Sequence, residues 1–161
     1  MGHHQLDELD IQILRMIGEN ARRPFLEVAR VCNVSGAAIH QRVQKLISLG
    51  VIKGSEFIFE PEKIGFSTCA YVGIFLKDPS QFDSVTKALK NIPEVVECHY
   101  ITGKYDMFIK IYAKNNRHLL EIIHDKLQPL SLARTETIIS FKEVINRQMP
   151  VLELDEMDEE L

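Results

Sequence analysis

NVSGAAIHQRVQKLISLG, residues 33–50, reads as one short helix with a start signal and a stop signal in place. Ser35 is a good N-cap, because its hydroxyl can accept one of the backbone N–H groups left free in a first turn. Asn33 tolerates a left-handed backbone, which suits the turn before the helix. Gly50 is the residue type that favours the position just past a helix end. Between these markers Ile39, Val43, Leu46 and Ile47 fall on one stripe at helical spacing. The opposite face collects Ala37, Gln41, Gln44, Lys45 and Ser48, with His40 at its edge. That face is small and polar, and its amide and ammonium groups suit base edges and phosphates in a DNA major groove.

A second short helix precedes it, over Pro24–Cys32. Pro24 fits the first helical position, where a missing N–H costs nothing. Phe25, Val28, Ala29 and Cys32 form its inner face, and Ala29 is small enough for a close helix crossing. Two short helices joined through Asn33 and Val34 fit a helix-turn-helix. They also fit an ordinary helical hairpin, and this stretch alone does not separate the two.

With 161 residues, 45% hydrophobic and 26% charged, the chain suits one domain or two small ones, each with a core. No apolar run approaches the roughly 20 residues that span a bilayer, and the N-terminus lacks a signal-peptide pattern. Cys32, Cys69 and Cys98 sit in apolar segments without CxxC spacing, which points to buried thiols in a reducing, cytoplasmic setting. The net charge of −4 at first argues against nucleic acid, but it is unevenly spread. Glu153, Asp155, Glu156, Asp158, Glu159 and Glu160 crowd the C-terminus, and setting those six aside turns −4 into +2. Over residues 1–60 acids and bases balance, and Arg42, Lys45 and Lys53 lie on or just after the helix at 35–50. Charge therefore permits DNA contact.

Taken in order, a first helix starts at Asp7, with Asp10 three residues on completing a capping box and Leu6 and Ile11 placed for a hydrophobic staple. Leu9, Ile13, Leu14 and Ile17 continue its inner stripe to about Asn20. After the third helix, VIKGSEFIF over residues 51–59 has β-rich ends around Lys53-Gly54-Ser55 and predicts a small hairpin, the wing of a winged helix-turn-helix, with Lys53 near the DNA backbone. EPEKIG over residues 60–65 breaks the pattern and marks a domain boundary. Strands at Thr68–Lys77, Val95–Ile101, Asp106–Ala113 and Thr135–Val144 then alternate with helices at Pro79–Asn91 and Asn116–Leu127. The order β-α-β-β-α-β predicts a ferredoxin-like sheet with both helices on one face. The fold class is thus α+β: a winged helix-turn-helix domain over 1–59, a linker over 60–66, a ferredoxin-like βαββαβ domain over 67–149 and an acidic tail over 150–161.

The first of these strands is apolar on both faces, with Ala70, Val72, Ile74 and Leu76 on one side and Cys69, Tyr71 and Phe75 on the other. The third repeats this, with Ile109 and Ile111 opposed to Phe108 and Tyr112. A sheet covered on one side only should alternate with polar residues. The second face is therefore expected to pack against the same face of a second copy.

The segments LDELDIQIL, VSGAAIHQRVQKLISLGVI and ITGKYDMFIKI, in this order and spacing, resemble the Lrp/AsnC family of leucine-responsive, or feast/famine, transcriptional regulators. The resemblance runs from Leu6 to about Met149. It implies double-stranded DNA as partner of the first domain, homodimers through the second domain's sheets, octamers of four dimers, and an amino-acid effector, with no cofactor and no metal. DNA contacts are then expected from Ser35, Ala37, His40, Gln41, Arg42, Gln44, Lys45 and Lys53. The effector turn falls on Thr102, Gly103, Lys104, Tyr105 and Asp106, with Thr135, Glu136 and Thr137 of the last strand supplied across a dimer contact. The chemistry of the turn is sensible in itself: Gly103 lets backbone approach a ligand, Asp106 can accept from an ammonium group, and free N–H groups can hold a carboxylate. The same residues also suit a plain hairpin in which Asp106 ties down its own backbone.

The chain departs from the family in two places. Gly36, Ala37 and Ala38 offer few base contacts, which leaves sequence reading to His40, Gln41 and Gln44 and to DNA shape. The acidic tail is either a solubilising end or a competitor for the basic residues that bind DNA. In the second case, deleting it tightens non-specific binding at low salt. Siroheme decarboxylases share this architecture, and for such an enzyme the candidates would be His99, His118, His124 and Arg134. A sensing module acting through protein partners is the other alternative. Neither phosphate loop, nucleophile triad nor ligand-spaced metal cluster is present in the sequence.

Overall fold

The computed structural model describes residues 6–151. Three helices come first: α1 (Glu8–Glu19), α2 (Phe25–Cys32) and α3 (Gly36–Ser48). Their ends follow the capping residues. The Asp7 carboxylate accepts from Asp10 N at 2.8 Å and the Asp10 carboxylate from Asp7 N at 3.2 Å, a complete capping box built from two aspartates. The Ser35 hydroxyl accepts from Ala38 N at 3.1 Å. Asn33 takes the left-handed backbone, φ 54°, between α2 and α3, and Gly50 follows α3 with φ 75°. Ile13, Met16, Val28, Ala29, Ile39 and Val43 form one core, with Ile17, Phe25 and Cys32 packed at its edge.

The stripe of α3 is narrower than its sequence suggests. Ile39, Val43 and Leu46 are buried, but Ile47 is 46% exposed. It stands about 100° around the helix from Leu46, at the border of the stripe.

The expected wing hairpin over 51–59 does not form: residues 51–60 contain no strand. The N–H groups of Val51 and Ile52 both donate to Leu46 O, at 2.9 and 3.2 Å, closing the end of α3. The first arm of the hairpin is thereby consumed, and the second has nothing to pair with. Phe57, Ile58 and Phe59 stand 67%, 93% and 67% exposed.

The second half of the chain is β1 (Thr68–Phe75), α4 (Phe82–Lys90), β2 (Val95–Tyr100), β3 (Met107–Ala113), α5 (Asn116–Glu121) and β4 (Arg134–Ser140). α5 runs on as a wider π-helical turn over Ile122–Leu127, where the sequence predicted a uniform helix. The four strands form one antiparallel sheet in the order β2-β3-β1-β4, the ferredoxin-like order. Ala70, Val72 and Ile74 of β1 and Met107, Ile109, Ile111 and Ala113 of β3 are buried against Val85 and Leu89 of α4 and Leu119 of α5. β4 was expected to reach Val144 but stops at Ser140, which pairs with Cys69. Its neighbour among the described strands, β1, begins at Thr68, so the ladder cannot run further, and Phe141 is fully exposed.

Of the described residues, 6–57 together with 145–151 make one compact unit and 58–144 the other. Within the first unit Arg15 Nε donates to Val151 O at 3.1 Å. The acidic residues from Glu153 to Glu160, on which the tail readings rest, lie outside the described residues. No described helix is long and apolar enough to cross a membrane.

Candidate functional site

Two groups of side chains in the described residues hold the residues expected to bind DNA and effector. The first is the outer face of α3. Ala37, His40, Gln41, Gln44, Lys45 and Ser48 are all exposed, on a helix fixed from behind by Ile39, Val43 and Leu46. The His40 ring lies 6.0 Å from that of Phe25 in α2, which orients its edge. Ser35 is exposed as well, although its hydroxyl is engaged in capping. Lys53 is exposed on the extended segment after α3.

Arg42 does not join this row. Its Nη1 binds Asp7 and lies 3.1 Å from Asp10 Oδ1. Asp10 is only 1% exposed, and its carboxylate also accepts from Asp7 N. A carboxylate removed from water needs a cation and hydrogen-bond donors, and Arg42 supplies the cation. The residue therefore locks α3 onto the start of α1. The Arg42 hydrogen bond, with the Asp10 N–H, holds the Asp7 carboxyl below the usual aspartate range. A lowered folded-state value stabilises the fold above the ordinary value and loses that contribution as pH falls through the lowered one. The melting temperature of the first unit should accordingly hold steady between about pH 7 and 5 and fall only below about pH 4, as followed by circular dichroism. A fall already at pH 6 would show that some other group governs acid stability.

The second group lies on the sheet face not covered by helices. Register places Tyr71, Gly73 and Phe75 of β1, Phe108, Lys110 and Tyr112 of β3, and Arg134, Glu136 and Ile138 of β4 on this face. Of the expected effector turn, Thr102, Gly103 and Lys104 are exposed, and Tyr105 and Asp106 are half-buried. Gly103 has φ 103°, a conformation that favours glycine. Tyr105 folds back over Gly73, where an added Cβ would stand 2.4 Å from ring carbons Cδ1 and Cε1. Its ring packs edge-on to Phe75 at 5.3 Å and stacks on Phe108 at 5.8 Å, and Phe108 stacks on Tyr71 at 5.6 Å. The Tyr105 hydroxyl donates to Glu136 at 2.7 Å, and Lys104 Nζ donates to the same oxygen at 3.0 Å. Arg134 Nη2 reaches the other Glu136 oxygen at 3.2 Å, with its guanidinium 4.3 Å over the Phe75 ring. Tyr105 and Lys104 together hold the Glu136 carboxyl below its usual range.

The structure brings Lys104, Tyr105 and Glu136 together within one chain. Thr135 and Thr137 point to the opposite, helix-side face, opposite Ile74 and Val72. Asp106 Oδ2 accepts from Leu76 N at 2.8 Å, so it ties the turn to the end of β1.

Lys110, which the sequence reading passed over, is 7% exposed on this face. Its Nζ lies 3.7 Å from Glu97 and 3.6 Å from Glu143, and 5.9 and 5.2 Å over the rings of Tyr71 and Tyr112. A lysine between Phe108 and Tyr112 on alternating positions of an otherwise apolar strand is the sequence signal that could have found it.

The residues considered for tetrapyrrole chemistry do not gather. His99 is on β2 and Arg134 on β4, at opposite edges of the sheet. His118 lies on α5, with Nδ1 accepting from Lys114 N and Nε2 3.5 Å from Glu94. His124 is exposed on the π-helical turn. No cluster of three metal-binding side chains occurs among the described residues. The cysteines are free; Cys32 and Cys69 are half-buried, but Cys98, expected to be buried, is exposed on the edge strand β2.

Two family models match the chain, an AsnC-type helix-turn-helix domain over residues 6–47 and an Lrp/AsnC ligand binding domain over residues 69–150. The chain belongs to the Lrp/AsnC family. The regulatory protein AsnC of Haemophilus influenzae is 37% identical over 147 residues, covering 91% of this chain and 98% of that protein. The structure of Escherichia coli AsnC superposes with a TM-score of 0.85 at 32% identity, covering 91% of this chain and 99% of that one. A Neisseria meningitidis regulator, NMB0573, solved as a complex with L-Met, shares the fold with a TM-score of 0.85 at 20% identity, covering 95% of this chain and 99% of that one. For a member of the Lrp/AsnC family, the two groups of polar side chains thus lie in the helix-turn-helix and ligand-binding portions respectively.

Proposed function

We propose that this chain is a sequence-specific DNA-binding transcriptional regulator that acts in the cytoplasm as homodimers and octamers of four dimers and responds to an amino acid. The observation that carries the reading is the exposed polar row of α3, held on a doubly capped helix and backed by three buried apolar side chains. Such a row matches the recognition helix of a helix-turn-helix, which lays its polar face in the major groove. His40, Gln41, Gln44 and Lys45 then face base edges, while Ser35, Ala37 and Lys53 approach the backbone. Arg42 serves from behind, as the residue that fixes the helix.

The effector reading is supported by the turn at residues 102–106 with its charged neighbours, and by the match to a ligand-binding family model. Assembly through the uncovered sheet face is supported by its content of Tyr71, Phe75, Phe108 and Tyr112, four half-buried aromatic side chains gathered on the face that no helix covers. An effector bound at the turn would shift the assembly and so the spacing of the DNA-reading helices.

The test is a thermal-shift screen of the full chain against the twenty common amino acids, read alongside its mass in solution and its binding to a randomised DNA library. A ligand that binds only the folded state raises the melting temperature by mass action. The expected result is enrichment of one DNA motif, and a shift with one or a few amino acids accompanied by a change in mass. Enrichment without any shift would leave a DNA-binding oligomer and remove the amino-acid effector.

A further inference from the structure

We propose that the Glu136 carboxylate is a built-in occupant of an anion site formed by Lys104, Tyr105 and Arg134, and that a ligand carboxylate binds there by displacing it. The inference rests on the effector reading above and specifies how that site takes its ligand.

Three donors from two separate segments converge on this one carboxylate, at 2.7, 3.0 and 3.2 Å. Two of them are positioned by contacts that do not involve Glu136. The Tyr105 ring is seated on Gly73 and held between Phe75 and Phe108, so packing sets where its hydroxyl points. The Arg134 guanidinium stacks 4.3 Å over Phe75, a cation–π contact that persists whatever its fork binds. Removing Glu136 should therefore leave a preformed pocket of donors rather than a collapsed one, and preformed donors bind an anion without an ordering penalty.

The charges point the same way. Lys104 and Arg134 bring two positive charges against one carboxylate, so the cluster keeps a net attraction for a further anion. In the single chain the side chains of Lys104 and Arg134 are 61% and 59% exposed, and ion pairs so open to water are weak. The internal carboxylate is thus held firmly enough to fill the site and loosely enough to be exchanged. A free monocarboxylate, such as the main-chain carboxylate of an amino acid, has the same two-oxygen geometry and meets the same three donors.

The prediction has an unusual sign, because deleting a residue inside the site should strengthen binding. Full-length protein, Glu136→Gln and Glu136→Ala are titrated calorimetrically with sodium acetate, which offers a carboxylate and no ammonium, and with each of the twenty amino acids. Both variants are expected to bind acetate about fivefold more tightly than the parent, the size of one screened ion pair. Adding Arg134→Ala to Glu136→Ala should abolish the gain. Melting curves of all variants verify folding, and Glu136→Gln, nearly the same shape, guards against a collapsed site. Equal or weaker binding by the Glu136 variants, with an amino acid still binding the parent, would overturn the displacement proposal and leave the effector reading standing. Absence of binding to parent and variants alike would overturn both.

Discussion

Arg42→Met is expected to destabilise the first unit by about 3 kcal/mol, because it strands Asp10 as a buried carboxylate without its cation. A unit of this size has only about 3–9 kcal/mol of stability in total, so the variant should show a separate early unfolding transition and lose most of its DNA binding at 37 °C. Methionine keeps most of the aliphatic volume of arginine, which confines the change to the charge and its hydrogen bonds. Lys45→Met gives the contrast. Lys45 is exposed on the polar face of α3, so stability should stay within about 0.5 kcal/mol while DNA affinity falls and its salt dependence flattens. Circular-dichroism melting and DNA titrations at two salt concentrations on the same preparations separate the two roles. If Arg42→Met melts like the parent but binds DNA as poorly as Lys45→Met, Arg42 is a direct DNA contact and the lock is immaterial.

Gly73→Ala should be nearly as damaging in the second unit. The new methyl would overlap the Tyr105 ring at 2.4 Å from two carbons and 2.7 Å from Cγ, close to where that side chain leaves the backbone. No rotation of a distant tip relieves such a clash, so the ring must leave the strand. Overpacking of this kind costs about 1–3 kcal/mol, which for a domain of this size lowers the melting temperature by roughly 5–20 °C. The displaced ring also loses its bond to Glu136 and its stack on Phe108, so amino-acid binding at the turn should disappear with it. The chain has four tyrosines and no tryptophan, so tyrosine emission reports the change directly. A double-mutant cycle identifies the cause: in a Tyr105→Ala background, Gly73→Ala should be close to neutral. The same cost in both backgrounds would place the damage in the strand itself.

What the sequence revealed and what it hid follows the range of the interactions. Asp7, Ser35 and Gly50 act on their own helix ends, so the helices could be placed from a few neighbouring residues. The alternation of helix and strand periods was enough for the ferredoxin-like order, since topology rules leave few ways to connect such a series. The wing failed because Val51 and Ile52 look like strand residues but spend their N–H groups on Leu46. β4 came out short because its end is set by β1, where Ser140 meets Cys69, 71 positions earlier in the chain. The bond from Arg42 to Asp10 was not legible, because nothing local distinguishes a base that faces solvent from one that faces a buried acid 32 residues earlier. In the candidate effector region the turn was legible as a turn. The pairing of Gly73 with Tyr105, and of Glu136 with three donors, was not, because it depends on which side chains share one sheet face.

The strand order also has a bearing on how the molecule comes into being. β1 occupies the middle of the sheet, yet it is made first, and its partners β3 and β4 begin at Met107 and Arg134. At the usual pace of synthesis, roughly 5–20 residues per second, more than 30 residues separate β1 from its first partner and leave it unpaired for roughly 2–6 s. Its sequence TCAYVGIF carries no charge and no proline, and such a segment pairs readily with any other exposed strand. The three helices make contacts within 50 residues and can fold in far less than a second. On the ribosome, therefore, the three helices can be in place while the central strand still waits for the rest of its sheet, and that interval is when the nascent protein is most exposed to aggregation.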